Sequence, residues 1–202
     1  MDIGLCAKRP LNRLIKQFSR SWVIIQLRDK TATHESITAQ ACLAKAALKN
    51  TNTLFIVNDD IIAAKVCAAD GVHLGQSDAS IKEARRILGK NKIIGKSCHS
   101  LAQAIKAEAE GADYLGIGPV FSSPLKPDLK AIGLKTVASL RERIKIPYYA
   151  IGGINLFNLK QIFKAGCRRV AVCRAVIKAK DPQKAIEKFK IELNRNDAIR
   201  IR

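Results

Sequence analysis

Eight short apolar or β-branched runs recur along this chain, and a stretch with helical periodicity follows each of them. That alternation constrains the fold more than any other feature, because it is the pattern of βα units feeding a parallel sheet. The runs are IGLC (3–6), WVIIQLR (22–28), TLFIVN (53–58), GVHLG (71–75), KIIGKS (92–97), YLGIG (114–118), YYAIGG (148–153) and RVAVCR (169–174). Between and after them lie LNRLIKQFSR, HESITAQACLAKAALKN, DIIAAKVCAA, SIKEARRILGK, SLAQAIKAEAEG, LKTVASLRERI, LFNLKQIFKAG and DPQKAIEKFKIELNRN, with apolar residues three and four apart. Ser77-Asp78 and Ser100 read as N-caps, and Gly89, Gly111 and Gly166 read as helix ends. Eight such units predict a single-domain (β/α)₈ TIM barrel over residues 1–202 in preference to an open doubly wound sheet. The divergent unit is the first, residues 1–21, where IGLC runs almost directly into Pro10, and residues 190–202 read as a basic C-terminal tail.

Composition agrees with one well-filled core: 48% of residues are apolar and 26% charged, with no low-complexity tract. No apolar run approaches the roughly 18–20 residues that cross a bilayer, and the opening MDIGLCAKRPLNRLIKQFSR interrupts its apolar residues with cations. The expectation is a soluble, cytoplasmic protein. Cys6, Cys42, Cys67, Cys98, Cys167 and Cys173 form no CxxC pair, which predicts reduced thiols and no structural metal. The formal charge of +19 calls for an anionic partner, whether nucleic acid, a membrane surface or a phosphorylated small molecule. The cations are spread over nearly every helical stretch, and no helix-turn-helix, aromatic-paired RNA-binding sheet or basic arm is visible. Dispersed lysines read as a solvated surface, which leaves a phosphorylated small molecule as the partner, no specific nucleic acid or membrane, and homo-oligomerisation open.

In a barrel, polar residues at the C-terminal ends of strands meet in one mouth. Those residues are Gln26, Arg28 and Lys30 after the second run, Asn58, Asp59 and Asp60 after the third, Gln76 and Asp78 after the fourth, and Ser97 and His99 after the fifth. The sixth run leads into FSSPLKPD, the seventh into AIGGIN, and the eighth ends at Cys173-Arg174. Asp59 and Asp78 with Asn58 and Gln76 form an all-oxygen set suited to Mg²⁺ with several retained waters. The alternative is that each aspartate caps the next helix, as Asp78 could for a segment beginning near Ala79. Arg28, Lys30 and Lys126 supply opposite charge, and a divalent cation with convergent Arg and Lys is how proteins hold a di- or triphosphate. FSSPLKPD reads as a loop able to close over a substrate, and the glycine amides of AIGGIN can receive phosphate. His34, His73 and His99 make no metal site by spacing; His73 falls within a strand and His99 near the mouth. Asp70, before Gly71, reads as a turn residue on the far side.

ADGVHLGQSD, GADYLGIGPVFSSPLKPD and IPYYAIGGIN, together with QLRDK and VND, resemble the thiamine-phosphate synthase family and its thiazole-tautomerase relatives, from about Trp22 to Val176. The resemblance implies a (β/α)₈ barrel that joins hydroxymethylpyrimidine pyrophosphate to a thiazole phosphate with Mg²⁺ and releases pyrophosphate. It implies Gln26 at the aminopyrimidine, Arg28, Lys30, Asn58 and Lys126 at the pyrophosphate, Ser97 at either, and Asp59 and Asp78 on the metal. Arg28, Lys30, Ser97 and Lys126 would carry the chemistry, while Ser123, Gly153, Cys173 and Arg174 would bind substrate, Gly153 at the thiazole phosphate. The sequence departs from the family pattern at Asp60, where an Arg is usual, at Leu125, where a Thr is usual, at Arg174, where a small hydroxyl residue is usual, and at Cys6-Ala7, where Thr-Asp is usual. The synthase reading leads because the paired aspartates and the loop lysine are retained. Its alternatives are a tautomerase in which His99 moves a proton, and a non-catalytic member that binds a thiamine precursor or a polyanion.

Overall fold

The computed structural model describes residues 2–6, 10–18, 24–122 and 129–198. Its frame is one sheet of seven parallel strands hydrogen-bonded in chain order: β1 (Ile25–Leu27), β2 (Phe55–Asn58), β3 (Gly71–Leu74), β4 (Ile93–Cys98), β5 (Tyr114–Ile117), β6 (Tyr148–Ile151) and β7 (Val170–Ala171). Parallel order without a strand skipped requires every connection to cross over in the same sense, and a helix fills each one. The helices are α1 (Leu11–Phe18), α2 (His34–Ala47), α3 (Ile61–Val66), α4 (Ile81–Leu88), α5 (Leu101–Ala109), α6 (Gly133–Ser139), α7 (Leu159–Lys164), α8 (Arg174–Ile177) and α9 (Pro182–Ala198).

Local chemistry sets where the helices begin. Thr33 accepts from the Ser36 amide at 3.3 Å, Ser80 from Glu83 at 3.1 Å, Ser100 from Gln103 at 3.2 Å, and Asp60 from Ala63 at 2.7 Å. Each cap satisfies an amide that the first helical turn leaves without an intrahelical partner. Phe55, Ile56, Val57, Val72, Leu74, Ile94, Leu115 and Ile117 are at most 1% exposed, as expected for strands covered on both faces. All of these but Ile56, with Ala41, Ala44, Ala63, Ala64, Ala84, Ala104 and Ala107 letting helices approach closely, make one continuous core. The helix layer packs in succession, α1 on α2, α2 on α3 and α3 on α4, and α9 returns to pack on α1.

Three details differ from the sequence expectation. IGLC is not a strand: Ile3–Leu5 form a 3₁₀ turn, and among the described residues there the only ladder contact is a parallel bridge from Asp2 to Arg28. RVAVCR keeps only Val170–Ala171 as strand, because the chain turns at Cys173 into α8, too short a helix for periodicity to mark. Residues 190–198, expected as a tail, continue α9. The six cysteines are free thiols. Among the described residues, no helix is long and apolar enough to cross a membrane.

Candidate active site

Two strand ends create the acidic centre. β2 finishes at Asn58, and Asp59 follows with φ +65, a left-handed conformation that costs a non-glycine residue about 1–2 kcal/mol and that Asp tolerates better than most. Its amide is tied to the His73 carbonyl at 2.8 Å, so the unusual backbone is held by the neighbouring strand. After β3, the turn Gly75-Gln76-Ser77-Asp78 folds back on itself because Asp78 Oδ2 accepts the Gly75 amide at 2.6 Å. Asp78 is therefore not the cap of α4, a role that falls to Ser80. The two side chains meet in a hydrogen bond.

Electrostatics divides the pair. Burial, and then the hydrogen bond to Asp78, push the Asp59 carboxyl up to about 6, against the pull of Lys30. Burial acts to raise Asp78 as well, but the hydrogen bonds from Asp59 and from the Gly75 amide, with the charges of Lys30 and Lys96, hold it below the usual carboxylate range. When the pair takes up a proton, Asp59 is the carboxyl that holds it. Among the described residues no group of three or more His, Cys, Asp or Glu could hold an ion. Two hard carboxylates whose mutual repulsion is relieved only by a proton and lysines nonetheless fit a divalent cation that completes its shell with water and ligand oxygens, as Mg²⁺ does.

The pair borders a cavity of ≈ 400 Å³ that Arg28, Lys30, Asn58, Gln76, Ser97 and His99 also line. Lys30 is bonded to Asp59, and Arg28 to Asp2 of the N-terminal segment. Gln76 donates to the Ser97 carbonyl at 2.5 Å, and His99 bonds through Nδ1 to the Gly118 carbonyl. Sequence reasoning thus placed Arg28, Lys30, Asn58, Asp59, Asp78 and Ser97 in one mouth, and they share it.

From Ser97 on the cavity wall runs a part-buried chain of polar groups. Ser97 Oγ is 2.9 Å from His73 Nε2, His73 Nδ1 is 2.9 Å from the Tyr114 hydroxyl, and that hydroxyl also bonds the Gln26 side chain. His73 is 7% exposed, and burial drives the Tyr114 phenol upward so that it stays neutral. Gly95 makes room for both rings: a Cβ there would fall 2.2 Å from Tyr114 Cζ and 2.6 Å from His73 Nδ1. Gln26 does not line the cavity but is oriented below it. No motif marks Tyr114; its signal is the register, in which Gly95 pairs with His73 on one side and Tyr114 on the other. Lys96 and Asp2 are equally unmarked, because a strand lysine and an N-terminal aspartate carry no motif.

Other expected residues lie elsewhere. Asp60, in the position of an expected cation, caps α3 and pairs with His34 Nδ1 at 2.6 Å, joining α2 to α3 outside the cavity. Asp70 binds Lys45 at 2.8 and 2.9 Å and the Phe55 amide at 2.7 Å, which makes it a brace between α2 and β2 as well as a turn residue. Gly153, Cys173 and Arg174 do not line this cavity. Gly153 has φ +65, and a Cβ on it would meet Phe121 Cβ and the Ser122 carbonyl at 2.7 Å, so glycine lets the segment after β5 lie against the end of β6. Cys173 precedes α8, and Arg174 begins that helix exposed instead of ending a strand. Ser123, Leu125 and Lys126 lie outside the described residues.

Known proteins are similar to this chain in sequence and in fold. A thiamine phosphate pyrophosphorylase from Pyrococcus furiosus superposes with a TM-score of 0.84 at 35% identity, covering 93% of this chain and 91% of that one. A 3-hexulose-6-phosphate synthase, at 16% identity and a TM-score of 0.64, shares the fold alone. In sequence, thiamine-phosphate synthases of Clostridioides difficile and Gloeobacter violaceus are 38% and 42% identical over 169 and 172 residues. The matched region spans 80% of the first relative but only 50% of the second, so the chain covers about half the length of some relatives. The family model described as thiamine monophosphate synthase matches residues 1–176, which takes in all of the strands and the whole acidic mouth. By sequence and by superposition, the chain belongs to the thiamine monophosphate synthase family.

Proposed function

We propose that this protein is a thiamine-phosphate synthase, a transferase that joins hydroxymethylpyrimidine pyrophosphate to hydroxyethylthiazole phosphate and releases pyrophosphate. The observation that carries the reading is the meeting of the Asp59–Asp78 pair with Arg28, Lys30 and Asn58 around one cavity. An acidic pair alone suits a metal, and cations alone suit a phosphate; a pyrophosphate ester that must depart as an anion requires both.

Mg²⁺, held by Asp59 and Asp78, would supply positive charge to the departing pyrophosphate oxygens. Lys30 spends its charge on Asp59 here, and is released for the pyrophosphate once that carboxylate has another counter-charge. Arg28 offers a planar fork of donors to the same group. Ser97, oriented by His73, presents its hydroxyl, and Gln26, bonded to Tyr114 outside the cavity lining, would meet the aminopyrimidine in the substrate complex. The bond between the pyrimidine methylene carbon and the pyrophosphate oxygen breaks with its electron pair on oxygen. The thiazole nitrogen lone pair then forms the new carbon–nitrogen bond. No protein base is needed, so catalysis reduces to charge stabilisation and alignment.

Lys126 and Ser123, on the loop after Ser122, complete the phosphate contacts in this reading, and the amides at Gly153 with Cys173 and Arg174 receive the thiazole phosphate. The finer architecture follows the same reading: the Asp2–Arg28 bridge is a rudimentary first strand, which would bring the sheet to the eight of a TIM barrel. A tautomerase built on His99 would leave the acidic pair idle. The test is pyrophosphate release by the purified protein given both substrates, with and without Mg²⁺, alongside Asp78→Ala. Release that needs both substrates and the metal, and collapses at least 100-fold in the variant by the rough scale of charge stabilisation, supports the synthase. Isomerisation of a thiazole carboxylate without metal would replace it with the tautomerase.

A further inference from the structure

Lys96 is a buried cation that no motif explains. It lies on β4 at 8% exposure, opposite Leu74 in register, at a position where a parallel strand ordinarily carries an aliphatic residue. Burying a lysine gives up side-chain entropy and hydration, so the ammonium must find its return in what it touches. Its Nζ reaches the end of the neighbouring strand and donates to the Gly75 carbonyl at 2.7 Å. The amide of the same Gly75 donates to Asp78 Oδ2 at 2.6 Å. Gly75 is therefore held at both of its peptide groups, one by Lys96 and the other by Asp78. No carboxylate lies within ion-pair distance of Lys96 among the described residues, yet its charge is felt at Asp78.

We propose that Lys96 is a positioning residue for the metal-binding pair: it anchors the Gly75 turn from behind so that Asp78 stands against Asp59, and keeps a permanent positive charge behind the carboxylates. The inference rests on the reading of Asp59 and Asp78 as metal ligands. It adds a division of labour between two lysines. Lys30, 53% exposed on the cavity side, is the mobile counter-charge that can move to a substrate; Lys96 is the fixed one that cannot. A carboxylate pair with only Lys30 beside it would lose its compensation whenever Lys30 turned to phosphate.

Removing Lys96 has two opposed effects on a divalent ion. Loss of positive charge favours the ion, while loss of the anchor lets Asp78 drift from Asp59. Positioning predicts that the second wins, since partners that orient metal ligands typically carry about 10- to 100-fold in metal affinity. The experiment is Mn²⁺ binding without substrates, followed by electron paramagnetic resonance, for the wild type, Lys96→Met, Lys96→Arg and Asp78→Ala, each checked for folding by circular dichroism. The expected result is a Mn²⁺ dissociation constant about 10- to 100-fold higher in K96M and largely recovered in K96R, which keeps a charged donor. Should K96M not fold, Lys96→Gln takes its place with the same expectation. Binding in the neutral variant as tight as wild type, or tighter, overturns the proposal, because the charge effect alone would then account for Lys96. If the wild type binds no Mn²⁺, or D78A binds it equally well, the metal reading of the pair fails and this inference with it. If only the Lys96 variants are unaffected, the inference fails and the metal reading stands.

Discussion

Gly95→Ala reverses an ordinary rule. Replacing glycine by alanine in regular backbone usually stabilises a protein by about 0.4–1 kcal/mol, because the unfolded chain loses freedom. At Gly95 the added methyl would lie 2.2 Å from Tyr114 Cζ, 2.4 Å from Cε1 and 2.6 Å from His73 Nδ1. Both rings must move, and they are the two ends of the 2.9 Å His73–Tyr114 hydrogen bond. Overpacking a tight interior costs about 1–3 kcal/mol, and leaving a buried donor or acceptor unpaired about 1–3 kcal/mol more. The sum, about 2–6 kcal/mol, corresponds to a Tm lower by roughly 4–24 °C for a domain of this size. Urea and thermal unfolding followed by circular dichroism measure it, with Gly116→Ala as the internal comparison. There the nearest atom is His73 Cε1 at 3.1 Å, so a much smaller loss is expected. Because His73 also orients Ser97, G95A should lower turnover even where the protein is fully folded. A G95A protein as stable as the wild type would refute the packing argument and with it the buried chain linking Gln26 to Ser97.

Two further predictions concern the frame around the site. The His34 ring titrates above the usual histidine value of 6.5, first through its hydrogen bond to Asp60 and then through the charge of that residue. Since the folded value is the raised one, the stabilisation is fully present below the unfolded pKa and is lost as the pH rises through the folded value. An NMR titration of the ring should show a midpoint that falls in Asp60→Asn; an unchanged midpoint would mean the α2–α3 pairing does not persist in solution. Arg85 holds the Lys92 carbonyl at 2.5 Å, the Gly111 carbonyl at 3.3 Å and Asp113 at 2.7 Å, which a lysine cannot do together. Arg85→Lys should destabilise the protein by about 0.5–1.5 kcal/mol in urea unfolding through the hydrogen bonds lost, and no measurable loss would show that water replaces the fork.

The sequence determined the order of the seven strands and their helices and part of the membership of the mouth. Strand and helix periods are properties of neighbouring residues, so runs such as TLFIVN and GVHLG announced β2 and β3, and QLRDK, VNDD and GQSD announced the polar ends that meet around Asp59 and Asp78. It could not determine what each end does, because that depends on contacts between residues far apart in the chain. Asp78 and Ser80 both suit a helix cap, and only the Gly75 amide at 2.6 Å assigns Asp78 to the turn and leaves Ser80 to α4. Asp60 read as a reversed charge at the metal and is a cap paired with a histidine 26 residues earlier. His73, Tyr114 and Lys96 were ordinary strand residues until the register set His73 beside Gly95, Gly95 beside Tyr114, and Lys96 beside Leu74 one residue before Gly75. The physical reason is the same throughout: side-chain periodicity is local and legible, whereas a buried hydrogen bond exists only once folding has brought both partners out of water together.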